Sequence, residues 1–495
     1  MVTTLETITF DVLIQIIAQL DITDVLRLRQ VSTRLLEVTL ERALWDELYR
    51  SSHLPRTIGP LPSQSQQDLE SVLARSAQVG HNMFVKGSPV RSRVVEYGPD
   101  CWGARILAGK VLLYVDPGSS TRKESVLFYN LDDDMLGDPQ VVHEFDGEHA
   151  SVISIDSVDV HDFRGQGHAY VGLQTANSES RDTEVLIMKM KDSGDELKFE
   201  LVYRYTRDAN SFHSLVASPR HIIVGHMLKN KSMAHVFDIS GLEGGPLAEV
   251  EDTDETLVIS DGDIGFGPDF YACSTHLIFL KPHPDPRETC MRLTAVPLMD
   301  SSAGSDSECR PEAPTCDIDA FEPLSFGILR DSIVDREPGY TEVIVHGLAE
   351  RNGVYTLTVS KLLIPSHIGP DASQEIRVTS HIVVNFPDRP GLYMQPSFTG
   401  SARCIFYYSN EAATAELRAL EYCYDEATER PVLLDSTSNL DYLGVLYDDF
   451  VTRDAEMQHF EQEPHSGRIL YHYRTSPSED DPSREESNLC IVDFA

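Results

Sequence analysis

Gly262-Asp-Ile-Gly265-Phe-Gly267 has the glycine density of a loop that cradles phosphate. It lacks the P-loop lysine and is flanked by acidic residues, so turn glycines are the expected reading. His161, Asp162 and His168 are metal-ligand residue types, but their spacing matches no helical zinc motif, and polar strand ends account for them. Asp132-Asp133-Asp134 lacks the glutamate that closes a twelve-residue calcium loop and reads as a solvated hairpin tip. Cys309 and Cys316 flank a polar, proline-containing stretch, the composition of an exposed loop. No Gly-x-Ser-x-Gly nucleophile elbow occurs. No nucleophile–base pair and no metal set emerges, so no catalytic residue, metal ligand or cofactor is assigned.

Charge points the same way. The chain has 495 residues, with 41 basic and 79 acidic side chains and a formal net charge of −38. A broad nucleic-acid footprint needs a basic surface, and an anionic membrane would repel this one. A basic target segment would be attracted. Glu249, Glu251, Asp252, Asp254, Glu255, Asp261 and Asp263 cluster. A wet surface is the ordinary meaning of such a run, and a face for a basic peptide the sharper one. Glu479-Asp480-Asp481 and Glu485-Glu486 read as a loop between two paired strands.

No apolar run approaches the ~20 residues that span a bilayer, and Met1-Val-Thr-Thr-Leu-Glu is no secretory leader. Eight cysteines without Cys-x-x-Cys spacing read as reduced, mostly buried thiols of a cytoplasmic or nuclear protein.

The elements that must position any site divide in two. The first ~80 residues carry helical periodicity, and the rest reads as strands and turns. Thr9 is a candidate N-cap for a helix bearing Val12, Leu13, Ile16, Ile17 and Leu20. Asp21-Ile22-Thr23-Asp24 breaks the pattern, with Thr23 or Asp24 available as the next cap. A second helix carries Val25, Leu28, Val31 and Leu35, and a third pairs Leu44 with Leu48 and Trp45 with Tyr49. Pro55, Gly59, Pro60 and Pro62 end the unit. The first helix is apolar around much of its circumference, more than two small neighbours can cover, so the excess surface implies a partner protein. Gln66 to Val79 forms one more helix, bridging the helical unit to the strands.

These residues resemble an F-box. Ile8-Thr9-Phe10-Asp11-Val12-Leu13-Ile14-Gln15-Ile16-Ile17-Ala18-Gln19-Leu20-Asp21 is followed by Asp24-Val25-Leu26-Arg27-Leu28-Arg29-Gln30-Val31-Ser32 and Leu44-Trp45. Thr9 stands where proline is common, Asp11 where glutamate is, Ile17 where phenylalanine is, and Arg34-Leu35 replaces the usual tryptophan-arginine step. The resemblance covers roughly residues 5–50. It implies a non-catalytic substrate receptor of a Skp–cullin–F-box ubiquitin ligase, with a Skp-type adaptor, and through it cullin, as partners. Ile8, Phe10, Val12, Leu13, Ile16, Ile17 and Leu20 are then the docking set. Val25, Leu28, Val31, Leu44 and Trp45 divide between docking and internal packing. The target is a protein of unknown identity, with a basic one favoured by charge.

In the remainder, a strand, a polar turn and a second strand recur seven times. The first strands are 110–115, 168–173, 221–225, 276–280, 342–345, 404–408 and 468–473. Their partners are 126–129, 185–188, 234–237, 291–295, 355–359, 417–422 and 489–492. Additional strands are expected at Val152–Ile155, Val158–Val160, Leu257–Ile259 and Leu443–Tyr447, with Arg93–Tyr97 joining the final unit. Repeated antiparallel sheets hide their edges best by closing into a ring. The expected fold is therefore a three-helix F-box (5–50), a linker with a helix (51–80) and a seven-bladed β-propeller-like substrate-binding domain (81–495). A pair of β-sandwiches is the alternative fold. The functional alternatives are a propeller hydrolase or lyase with a helical cap, and an F-box scaffold outside ubiquitin transfer.

Overall fold

The structure is a computed structural model. It describes residues 8–494 apart from connecting segments, the longest being 240–247, 252–268, 299–313, 319–326, 333–339, 366–374, 387–402, 436–454 and 476–486. Leu257–Ile259, Gly262–Gly267, Leu443–Tyr447, Cys309 and the acidic runs beyond Glu251 lie outside the described residues.

Helices come first: α1 (Phe10–Ile17), α2 (Ile22–Leu28), α3 (Thr33–Thr39), α4 (Arg42–Ser51) and α5 (Gln66–Gly80), which runs on into a π-helical turn at His81–Lys86. The expected second helix is thus two. Ser32 takes extended dihedrals and its hydroxyl accepts from the Leu35 amide at 3.3 Å, which restarts the chain as α3. Asp21, rather than Thr23 or Asp24, occupies the N-cap position of α2. The core of this unit is Leu13, Ile17, Val25, Leu35, Val38, Leu44, Trp45, Leu48 and Tyr49, with Leu69 and Leu73 inserted from α5. The bridging helix expected over Gln66–Val79 is α5. Its start is fixed by a capping box in which Ser65 and Asp68 exchange hydrogen bonds, holding the Asp68 carboxyl below its usual range.

The strands are β1 (Arg91–Tyr97), β2 (Trp102–Leu107), β3 (Val111–Asp116), β4 (Ser125–Asn130), β5 (Gln140–Glu144), β6 (Ala150–His161), β7 (Gly167–Asn177), β8 (Asp182–Asp192) and β9 (Leu197–Asp208). They continue with β10 (His213–Ala217), β11 (His221–Leu228), β12 (Lys231–Asp238), β13 (Ala248–Glu251), β14 (Asp269–Ala272), β15 (His276–Pro282), β16 (Met291–Pro297), β17 (Thr315–Ile318) and β18 (Gly327–Ser332). The last nine are β19 (Tyr340–Arg351), β20 (Val354–Pro365), β21 (Arg377–Phe386), β22 (Arg403–Ser409), β23 (Ala415–Asp425), β24 (Arg430–Asp435), β25 (Ala455–Glu463), β26 (Arg468–Thr475) and β27 (Ser487–Asp493).

Among the described residues they form seven antiparallel sheets, six of them meanders of consecutive strands and the seventh completed by the first strand. Five are β2–β5, β6–β9, β10–β13, β14–β17 and β18–β21; the sixth shows β22–β24, and the seventh runs β25-β26-β27-β1. All seven expected strand pairs are hydrogen-bonded neighbours, from Val115 opposite Val126 to Ile469 opposite Val492. Arg93–Tyr97 does pair with the last strand, Val94 lying opposite Cys490. Two expected strands, Val152–Ile155 and Val158–Val160, are one: β6 runs through both, with a register shift between Val152 and Ser154 that absorbs the irregularity. Seven small sheets stand in place of the four larger ones that a pair of two-sheet sandwiches would need.

Period-2 alternation sends neighbouring residues of one strand into different cores. In β3, Val111, Leu113 and Val115 pack against the second sheet, whereas Leu112 and Tyr114 pack against the seventh. In β11, Ile222 and Val224 face Tyr170 and Ile187 of the second sheet, whereas Ile223 faces Leu277 and Phe279 of the fourth. Ile278 of β15 meets Val343 and Leu362 of the fifth. Strands covered on both faces are therefore apolar throughout, which is why they stand out as unbroken Val-Ile-Leu runs.

Candidate functional site

The site is built on α1. Two apolar stripes, each at i, i+4 spacing, run along this helix about a quarter-turn apart. Leu13 and Ile17 form the first, and both are sealed in the internal core at 1% and 2% exposure. Val12 and Ile16 form the second, continued by Leu20 just past the helix, and these are 45%, 42% and 38% exposed. Phe10 is also open at the start of the helix. Covering the exposed part of one such side chain stabilises by about 1 kcal/mol.

Exposure divides these apolar residues into two groups. Phe10, Val12, Ile16, Leu20 and Val31 are open to a partner; Ile8 and Leu28 are half-buried. Leu13, Ile17, Val25, Leu44 and Trp45 are buried in the unit's own core. Trp45 in particular is fully buried, and its indole Nε1 donates to the Thr39 carbonyl at 2.8 Å. Leu36 and Leu40 are exposed as well and were missed from sequence, although their own i, i+4 spacing beside the buried Leu35 and Val38 was the available signal.

Behind this face, Arg29 ties α2 to α5. Its guanidinium donates to both Glu70 carboxylate oxygens at 2.6 and 2.7 Å, to the Thr39 carbonyl at 3.0 Å, and lies 5.8 Å above the Trp45 ring. A bidentate, half-buried pair of this kind fixes orientation as well as distance. The other end of α5 is held by the last sheet. Asn82 Nδ2 donates to the Phe494 carbonyl at 2.8 Å, and the Val90 amide to that of Asp493 at 2.8 Å. One helix therefore connects the exposed apolar stripe to the strand domain through polar contacts at both ends.

Elsewhere the structure reassigns several candidates. Asp132 is more than a solvated tip: its carboxylate accepts from the buried Arg468 at 2.8 Å. Cys316 lies in β17 rather than in a loop, and burial pushes its thiol up to about 12. His161 and His168 flank the β6–β7 hairpin, one residue out of register. Two serine–histidine contacts had no sequence signal: Ser487 Oγ lies 2.6 Å from His472 Nε2, and Ser218 Oγ 3.3 Å from His221 Nδ1. Both serines are buried, so these contacts lock strand starts and offer no nucleophile to a substrate. His283, Cys290 and Asp317 bring one potential metal-ligand atom each to within 4.8 Å of one another. No helix of the described residues is long and apolar enough to cross a membrane.

Comparison with known proteins places an F-box-like domain at residues 10–51, N-terminal to the propeller-like succession of sheets. No curated protein matches the chain. Among solved structures, the WD40 domain of SCAP from fission yeast is 10% identical, with a TM-score of 0.36 over 81% of this chain and 98% of that one. A GH93 α-L-arabinofuranosidase of Fusarium graminearum is 7% identical, with a TM-score of 0.31 over 81% and 92%. Prolyl oligopeptidase B from Galerina marginata is 9% identical, with a TM-score of 0.32 over 91% of this chain and 62% of that one.

Proposed function

We propose that this chain is the substrate-recognition subunit of a Skp–cullin–F-box ubiquitin ligase. The observation that carries the reading is the divided surface of α1: Leu13 and Ile17 satisfy the unit's own core, yet Phe10, Val12, Ile16 and Leu20 stay open. A Skp-type adaptor would cover that second stripe, and cullin would follow through the adaptor. Residues 5–50 are the adaptor-binding domain, 51–80 the linker and 81–495 the receptor.

We infer that the seven sheets are blades of one closed propeller. The packing of the first sheet against the seventh, through Ile106, Leu112, Leu470 and Ile491, supports this, as does the repair of the last sheet by β1. Closure that joins the strand after the helices to the end of the chain removes exposed sheet edges. The function of this body is positional. It holds a target near a ubiquitin-loaded enzyme, so high local concentration replaces chemistry by this chain. The formal charge of −38 favours a target with a basic segment, and the sparse cysteines without Cys-x-x-Cys spacing favour action in the cytoplasm or nucleus.

The test is affinity purification with mass spectrometry of the full chain and of Ile16→Asp. The wild type should recover a Skp-type adaptor and a cullin, and the variant neither, while both retain the same unfolding midpoint. Equal recovery of the adaptor by the two would reject the docking face. Recovery of the adaptor without cullin would favour a scaffold outside ubiquitin transfer.

A further inference from the structure

His283, Cys290, Arg292 and Asp317 share one face of the β14–β17 sheet. The His283 amide donates to the Cys290 carbonyl at 3.0 Å, continuing the β15–β16 ladder by one step, so these residues stand opposite each other. Arg292 is two residues along from Cys290 and pairs in register with Asp317. Two-residue periodicity then places all four side chains on the same side of the sheet. His283 and Cys290 are half-buried, and Asp317 is exposed.

We propose that His283, Cys290 and Asp317 form a three-ligand site for zinc or a divalent ion of similar softness, with the Arg292 guanidinium as a latch over it. The donor set is one thiolate, one imidazole and one carboxylate, the types zinc takes, and it leaves a fourth position for water or a partner's side chain. The spacing fits. His283 Nε2 and Asp317 Oδ2 are 3.6 Å apart. Two such ligands, each about 2.1 Å from a tetrahedral ion, would be about 3.4 Å apart.

Arg292 supplies the second argument. Its Nη2 lies 2.7 Å from His283 Nε2, and its Nε donates to Asp317 Oδ1 at 3.0 Å. Arginine is a permanent donor, so Nε2 must be the acceptor and the proton must sit on Nδ1. That is the tautomer in which Nε2 binds a metal. The guanidinium is also a cation lodged between the same carboxylate and imidazole that a metal would use. Loading swings Arg292 away, releases the Cys290 thiol proton to solvent and ties the β15–β16 hairpin to β17. Affinity should therefore rise with pH.

The full-length chain, stripped with chelator, is dialysed against zinc chloride, and separately against magnesium chloride and cobalt chloride. About one zinc should be retained per chain, with no magnesium, and the cobalt form should show a thiolate-to-metal charge-transfer band. Cys290→Ser should abolish that band, and His283→Ala should weaken zinc binding at least about tenfold, the scale at which even supporting groups act. Arg292→Gln should bind zinc more tightly than the wild type. Lack of saturable zinc uptake, lack of the cobalt band in the wild type, equal zinc in the wild type and Cys290→Ser, or weaker binding by Arg292→Gln would each overturn the site.

Discussion

Val79 and Gly467 touch where the linker helix meets the last sheet. A Cβ built on Gly467 would lie 2.5 Å from Val79 Cγ2 and 2.7 Å from Cγ1, and Gly467 sits at φ +70°. Both facts demand glycine, one through space and one through backbone conformation. Ser466 and Gly467 form the turn that starts β26, and the Gly467 carbonyl accepts from the Phe494 amide at 3.1 Å. The helix that carries the F-box-like unit is thus seated on the turn that also anchors the end of the described chain.

Gly467→Ala should therefore cost at least about 2 kcal/mol, combining left-handed strain with overpacking. Chemical denaturation of the full chain measures it. In a double-mutant cycle with Val79→Ala, the packing part should be relieved and the dihedral part should remain. Strict additivity of the two changes would show that the contact is not the cause.

The helical half was legible because amphipathic spacing is local. The F-box-like register, the bridging helix and the seven strand pairs all follow from patterns within about 40 residues of sequence. The division of α1 into a sealed and an open stripe was not legible. Val12 and Leu13 are chemically alike, and only the placement of α3, α4 and α5 decides which one is covered. Likewise Asp132 looks like any other acid in a turn until Arg468, 336 residues later, is folded against it. The metal-ligand cluster failed to register for the same reason. Its third member, Asp317, comes from a strand 27 residues beyond Cys290 and reaches the cluster only because the ladder pairs it with Arg292.

Ile16 and Ile17 are adjacent in sequence and opposite in role, which gives a paired prediction. Ile17→Ala should lower stability by about 2–4 kcal/mol, because it empties a sealed position. Ile16→Ala should change stability by less than about 0.5 kcal/mol. Adaptor capture should show the reverse order once both proteins are assayed well below their unfolding midpoints. A large stability loss in Ile16→Ala would mean that this stripe packs internally.

Arg468 is a second joint between the ends of the strand domain. Its side chain is 6% exposed, and its guanidinium donates to Asp493 at 3.1 Å, to Asp132 at 2.8 Å and to the Gly109 carbonyl. Asp132 and Gly109 belong to the first sheet's turns, and Asp493 to the last strand. Arg468→Gln would remove this ion pair from the 13%-exposed Asp493 carboxylate and should cost about 3 kcal/mol. Lysine should restore less than half of this, since it cannot fork between two carboxylates. Thermal unfolding of the three proteins decides the order.

His276 gives the strand domain an acid limit. It is fully buried at the start of β15, with Nδ1 2.7 Å from the Thr275 hydroxyl, which in turn lies 2.8 Å from the Thr341 hydroxyl of the fifth sheet. Burial pushes the imidazole down to about 4, against a smaller opposite pull from the Pro365 carbonyl. An unfolded histidine titrates near 6.5, so between about pH 6.5 and 4 the unfolded chain takes up this proton before the folded one does. Stability should fall as pH drops through that window, by up to roughly 3 kcal/mol from this group, and level off below it. His276→Asn removes the titration and should flatten that part of the profile while lowering stability at neutral pH through lost packing. Urea unfolding at half-unit pH steps reads both effects, and parallel acid limbs in the two proteins would clear His276 of the role.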